Sequence, residues 1–266
     1  MSAAPEPLDA WERRAREEGD SLRAVLFRNF PEVLNRHLHA WQVGAVLAGM
    51  PARPAPRVLD VGCGWGRLAE AVLAAHPRAE LVGLDASPRF AALFRERTGQ
   101  PAVVADLRRV PPDLGSFDAV ICVTALMYLA PGEVAPCVAG LASRLRPGGR
   151  LILVENDRSG WGLLTAGGLV AAARSARAAP PPTGGRVLGG AEMRAALDAA
   201  GLRSCWERRL PATSAGILPL ALVGHLAGEV ARPVLRLAAW LDRWTAGLPL
   251  PSLYVARVAE RGAGGC

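Results

Sequence analysis

The 266-residue chain is long enough to bury one large core, and 51% of its residues are hydrophobic. Its 31 basic residues exceed its 24 acidic ones, for a formal net charge of +7, but every basic residue is an arginine and Ala, Gly and Pro are abundant. That pattern fits the coding bias of a GC-rich bacterium and is weak evidence for a polyanionic partner. The five cysteines form no C-x-x-C pair and are expected to be reduced thiols, and the first twenty residues lack the apolar stretch of a secretory leader, so a cytoplasmic protein is expected.

From the amino terminus, the densely charged stretch from Leu8 to Glu18 reads as an exposed helix, Ser21 to Phe30 as a second short one, and Pro31 restarts a third that runs to about Met50. Leu34, Leu38, Trp41 and Ala45 recur every three or four residues and give the third helix one buried face. His37 lies between Leu34 and Trp41 at the edge of that face, whereas His39 points about 160° away, which makes His37 the better general-base candidate. A Pro/Ala/Arg linker from Pro51 to Pro56 leads into an alternating series. Strand 57–61 precedes helix 66–75, strand 80–84 precedes helix 88–98, and strand 101–105 precedes a Pro-rich loop. Strand 117–123 then leads to a helix from about Pro131 to Leu145 and a strand over 150–155. A helix at 189–200 and strands at 202–209 and 252–259 complete the chain. This layout predicts an α/β fold, a doubly wound and mostly parallel seven-stranded sheet, with ligand at the carboxyl ends of its strands beside the first one.

Residues 1–50 are thus expected to be a helical cap and 51–266 a core, interrupted by insertions at about 159–188 and 212–250. The first insertion is Gly/Ala-rich, with Pro-Pro-Pro at 180–182. In the second, between the last two strands, only His225 is strongly polar from Ser214 to Gly228, and about 15 residues are fewer than the roughly 20 needed to span a bilayer. Past Glu229 the sequence turns amphipathic, with Val230, Val234, Leu237 and Leu241 interleaved with Arg232, Arg236, Asp242 and Arg243, and with Trp240 and Trp244 near its end. Three readings suit this helical insertion: a helix pair packed on the core, a substrate lid with His225 as a second base candidate, and a peripheral membrane contact.

Chemistry concentrates between Arg57 and Val72. Val58, Leu59 and Val61 run into Gly62, Gly64 and Gly66, then a helical pattern carried by Leu68, Ala69, Val72 and Leu73. Glycines let a ligand approach the backbone and supply dihedrals closed to other residues, and the helix N-terminus presents free N–H groups. A dinucleotide fingerprint would require glycine at 67, where Arg67 stands, so a nicotinamide cofactor is disfavoured.

At these residues the chain resembles the class I S-adenosylmethionine-dependent methyltransferases. Their first motif, an acid, one residue and G-x-G-x-G, is matched by Asp60, Gly62, Gly64 and Gly66, and further blocks follow as LVGLDAS (81–87), VVADL (103–107), FDAVICVTALMYL (117–129) and LRPGGRLILVEN (145–156). The resemblance covers roughly residues 57–156 and extends beyond them only by layout; the Gly-Cys-Gly-Trp-Gly form also occurs in fatty-acid cyclopropane synthases, whose other blocks are missing. It implies a Rossmann-like core and S-adenosyl-L-methionine as cofactor. By position it assigns Asp60 to the methionine amino group, Gly62, Cys63, Gly64 and Gly66 to the cradle, Asp85 with Ala86 to the ribose, Asp106 with Leu107 to the adenine, and Thr124 to the pocket wall. Arg67 suits either the methionine carboxylate or a solvated helix face, and Trp65 either packing or cofactor contact.

Methyl transfer from a sulfonium depends on alignment and exclusion of water rather than on a metal. Candidate catalytic residues therefore sit at strand ends and in the caps: Tyr128 after the fourth strand, Glu155 after the fifth with Asn156 and Asp157 beside it, His37 and His225, each rivalled by a structural hydrogen bond. Val123-Thr124-Ala125 supplies no carboxylate for a metal-assisted catechol-type enzyme, so no metal is expected. Thr124-Ala125-Leu126-Met127 replaces the Asn/Asp-Pro-Pro-aromatic tetrapeptide of base-amino methylation, and no cysteine follows the fourth or fifth strand, so no nucleic-acid substrate is expected. The expected reaction is methylation of a small, largely apolar acceptor: a lipid, a quinone-like molecule or a natural-product precursor. Alternatives are a cyclisation or rearrangement that uses the cofactor without methyl transfer, cyclopropane-synthase-like C-methylation, and a non-enzymatic binding subunit.

Overall fold

The computed structural model describes residues 7–28, 32–130, 132–157, 188–211 and 252–262, together with Pro233, Arg236, Leu237, Trp240, Leu241 and Trp244. The insertion at 159–188, apart from Leu188, and most of that at 212–250, including His225, lie outside the described residues. Three helices lead: α1 (Pro7–Glu18), α2 (Leu22–Val25) and α3 (Glu32–Gly49). The alternating series follows as β1 (Arg57–Val61), α4 (Arg67–Ala75), β2 (Glu80–Asp85), α5 (Pro88–Thr98), β3 (Ala102–Val104) and β4 (Phe117–Val123). After these come α6 (Val134–Ser143), β5 (Leu145–Asn156), α7 (Gly190–Ala199), β6 (Leu202–Pro211) and β7 (Ser252–Arg261).

The described strands form one sheet in the order β3-β2-β1-β4-β5-β7-β6, parallel throughout except for β7, which pairs antiparallel with both neighbours. Both faces of the sheet are covered, so the central strands β1 and β4 are largely apolar, interrupted by Asp60 and Asp118, and every residue of β4 is buried. On one face α3 and α4 bring Leu34, Leu38, Val46 and Val72 onto Val58, Ile121, Ile152 and Val258. On the other, Val138 and Leu141 of α6 and Met193 and Leu197 of α7 meet Leu59, Val120, Cys122 and Leu153. α5 carries local start and stop signals: Ser87 Oγ accepts a hydrogen bond from the Phe90 amide (3.1 Å), Pro88 opens the first turn, and Gly99 ends the helix at φ 66°.

Two boundaries differ from expectation for tertiary reasons. α2 stops at Val25 because buried Arg14 donates to the carbonyls of Arg23 and Leu26, while Asn35 Nδ2 donates to Phe27 O (2.9 Å) and Asn35 Oδ1 accepts from Phe27 N. β5 begins at Leu145 rather than at 150, since Leu145 pairs with Phe117 across an irregularity that contains Gly148 and Gly149. Cys63, Cys122 and Cys137 are buried free thiols, as expected, but Cys205 is disulfide-bonded; partly exposed on β6, it is open to pairing in a way that the three enclosed thiols are not.

Candidate active site

At the carboxyl ends of β1, β2 and β4 lies a cavity of about 510 Å³. Gly62, Cys63 and Gly64 form one wall, Asp85, Ala86, Asp106 and Leu107 a second, and Thr124 and Tyr128 a third. The loop is shaped by backbone demands. Gly62 and Gly64 adopt φ of 69° and 53°, and a Cβ on either would meet Ala125 Cβ at 2.9 Å or Val25 Cγ1 at 2.8 Å. Gly66 is fixed by helix packing. It does not line the cavity; at φ 96° it caps α4, and a Cβ there would meet Thr98 Cγ2 at 2.7 Å and Phe94 at 3.2 Å, so it permits α4 to pack close to α5.

Asp85 ends β2 with Oδ2 accepting from the Gly64 amide and Oδ1 from the Ser87 amide, both at 2.9 Å. Burial raises its pKa to about 6 against the pull of those two donors, and its carboxylate keeps lone pairs facing the cavity. Asp106 is clamped by Arg108, whose backbone and guanidinium both donate to it, and that interaction holds its carboxyl below the usual range. Asp60 sits behind the loop, fully buried; burial pushes its pKa to about 7 against the field of Arg67, and Oδ2 has no hydrogen-bond partner among the described residues.

Arg67 is buried and lines the cavity, which removes the solvated-helix reading. Its Nη2 donates to Gln42 Oε1 (2.7 Å), and its Nη1 lies 3.0 Å from His39 Nδ1. A guanidinium has only donors, so His39 Nδ1 is the acceptor and the ring proton sits on Nε2. Burial and the Arg67 charge push the His39 pKa down to about 4, leaving a neutral imidazole at pH 7. Neither His37 nor His39 is among the residues lining the cavity; His39 is joined to it through Arg67, which does line it. Asn35 and Gln42 read as polar in the sequence but are buried, and they rotate the buried face of α3 until its centre lies about 80° from His39 and about 120° from His37.

Thr124 leaves β4 at φ 54°, a left-handed backbone costly for a β-branched residue, and its amide donates to Val154 O (2.7 Å). Glu155, expected at the chemistry, does not line the cavity. Its Oε1 accepts from the amides of Ala125 (3.2 Å) and Leu126 (2.9 Å), capping the 3₁₀ turn Leu126–Tyr128, and burial raises its pKa to about 8. Asn156 donates to Met127 Sδ, and Asp157 accepts from Ser252 Oγ and pairs with Arg209, so these two strand-end residues also serve the framework.

The site also contains residues that the sequence reading missed. Leu8 and Trp11 of α1 line the cavity, and the Trp11 ring meets Tyr128 edge-on (centroids 5.4 Å apart) and lies 6.3 Å from Phe90. One residue on, Glu12 Oε1 accepts from Ser87 Oγ (2.6 Å) and the Arg89 amide (3.1 Å), pinning α1 to the start of α5 beside Asp85. The i, i+3 pair Leu8 and Trp11 in a charged helix was the available signal. Trp65 proves to be a packing residue, its Nε1 donating to Ser21 O (3.0 Å) beneath α2. No group of three or more His, Cys, Asp or Glu suited to a metal occurs among the described residues.

Residues 58–149 match a family model described as a methyltransferase domain. The ubiquinone biosynthesis O-methyltransferase of Xanthomonas campestris pv. campestris (strain B100) is 37% identical over 119 residues, covering 42% of this chain and 48% of that protein. The chain thus matches about half the length of its curated relatives. Among solved structures, magnesium protoporphyrin IX methyltransferase from Synechocystis PCC 6803 with bound SAH aligns with a TM-score of 0.59 at 18% identity over 96% of this chain and 94% of its own. The [4+2]-cyclase SpnF aligns at 0.56 and 20% identity over 86% and 82%. These likenesses place the sheet and its flanking helices in the Rossmann-like methyltransferase fold.

Proposed function

We propose that this chain, which carries a class I S-adenosylmethionine-dependent methyltransferase domain, methylates a small, largely apolar acceptor such as a quinone-like or lipid molecule. The observation that carries the reading is one cavity in which the glycine loop and Asp85 face an apolar and aromatic wall built from Leu8, Trp11, Val25, Phe90 and Leu129. Its volume suits small molecules. The residues fit the cofactor. Gly62 and Gly64 leave space that a Cβ would fill, the partnerless Asp60 Oδ2 suits an ammonium donor, and Asp85 offers acceptors to a pair of hydroxyls.

When bound, the cofactor supplies an activated methyl group and its own leaving group, so the protein has little acid–base chemistry to perform. The chain's part is alignment and exclusion of water: α1 closes one side through Glu12, Trp11 presses on Tyr128, and the strained exit of β4 fixes where Tyr128 stands. In this reading Tyr128 is the described candidate to touch the acceptor. Residues 1–50 act as the cap, 51–266 as the core, and the setting is cytoplasmic. Incubating the full chain with the cofactor and phenolic or quinol lipids should release S-adenosylhomocysteine in step with a methylated product. Conversion of an acceptor without that release would replace methyl transfer by cyclisation, and failure to bind S-adenosylhomocysteine would overturn the reading entirely.

A further inference from the structure

Six large hydrophobic residues are exposed among the described residues, and four of them, Leu237, Trp240, Leu241 and Trp244, each helical, lie within eight positions of the sequence. Leu237 is 57% exposed, Trp240 48% and Trp244 74%, values far outside those of a core-packed helix. At about 100° per residue these four side chains fall within an arc of roughly 100°, one face of the helix. The Trp240 and Trp244 rings lie 6.3 Å apart at 66°, so the two indoles form one joined patch. Arg236, also exposed, projects about 40° from Trp240 at the border of that patch.

We propose that this face docks on an anionic lipid surface, with the helix lying in the plane of the interface. The local charge selects the occupant: Arg236 stands at the patch, and Arg232 and Arg243 flank it in sequence against the single acid Asp242. Indoles favour the headgroup level, where an apolar body and a polar edge are both satisfied, and arginines at that depth meet lipid phosphates. A second copy would bring the same positive charge to the same patch, because a two-fold interface joins identical surfaces. Arg232, Arg236, Asp242 and Arg243 fall within 12 positions of the sequence, more charge than a bilayer-crossing helix carries, which favours a surface-lying geometry.

The test uses the full chain with vesicles of phosphatidylcholine, with and without phosphatidylglycerol, read by flotation and by quenching of tryptophan by brominated lipid. Binding should require phosphatidylglycerol and weaken in high salt, and the double variant Trp240→Ser/Trp244→Ser should bind about tenfold or more weakly and lose most of the quenching. Cofactor affinity and thermal midpoint should remain those of the parent, and Arg236→Glu should weaken binding chiefly at low salt. Absence of flotation with anionic vesicles, or unchanged flotation of the double variant, would overturn the proposal. So would a fall in thermal midpoint, which would make the face a covered core, or loss of a dimer in sedimentation, which would assign it to a second copy.

Discussion

Asp85 faces two demands at once, since burial favours its neutral form while the Gly64 and Ser87 amides and any ribose donor favour the carboxylate. Its folded pKa of about 6 lies above the ordinary 3.8, so the folded protein holds this proton more tightly than the unfolded chain. On account of this group, stability without ligand falls as pH rises from about 4 to about 6. Ligand affinity has the opposite sign, because hydroxyl donors need the ionised acid. Affinity for S-adenosylhomocysteine, measured by calorimetry, should decline as pH falls below about 6, and Asp85→Asn should flatten that slope. Asp85→Ala should cost tenfold or more at pH 7.5, given about 1.5–3 kcal/mol for each hydrogen bond to a charged group. At Glu155 the prediction separates structure from chemistry. Glu155→Ala strands the Ala125 and Leu126 amides and should destabilise the fold by about 1–3 kcal/mol in urea, while Glu155→Gln keeps an acceptor and should retain turnover. An inactive but fully stable Glu155→Gln protein would restore this acid to the reaction.

Glu12 ties α1 to the start of α5 beside the cavity, which makes the docking of α1 open to measurement. Glu12→Ala removes the acceptor for Ser87 Oγ and the Arg89 amide; it should cost about 1 kcal/mol of stability and speed S-adenosylhomocysteine dissociation in stopped-flow fluorescence, with Trp11 as reporter. Unchanged dissociation would mean that α1 does not gate the site. α3 reports on the site through His39. His39→Leu leaves a buried guanidinium N–H without an acceptor and should lower both stability and cofactor affinity, whereas His39→Gln, able to accept from Arg67, should recover much of each loss. Equal behaviour of the two variants would argue against the Arg67 contact. At this scale most elements were legible in the sequence, because their signals are local: Ser87-Pro88 and Gly99 bracket α5, and β4 is an apolar run broken only by Asp118. The shortened α2 and the rotated face of α3 were not legible, because Arg14, Asn35 and Gln42 are polar residues buried by partners that sequence periodicity cannot weigh.

Across the whole molecule, the glycine-and-acid wall of the cavity was readable because it is built at strand ends, where a glycine or an acid directly follows an apolar run. The cap's half was not, since Glu12 meets Ser87 and Arg89 across 75 and 77 residues of sequence and nothing local announces the meeting. The sheet edge has a separate consequence. β7 runs backwards between β5 and β6, and the pairing of Pro211 with Ser252 brings both ends of the 212–251 connection together beside Asn156, which pairs with Tyr254. Whatever chain joins those two ends enters and leaves through adjacent rungs of an already completed ladder, so its length and composition are free to change without moving β1, β2 or the glycine loop. Grafting the corresponding connection from a relative between Pro211 and Ser252 should leave S-adenosylhomocysteine affinity within a fewfold while altering which acceptors react; a graft that destroys cofactor binding would show the junction to be rigidly coupled. The fold would then work as a socket, inherited with its cofactor and refitted for new acceptors by exchange at a single pair of residues.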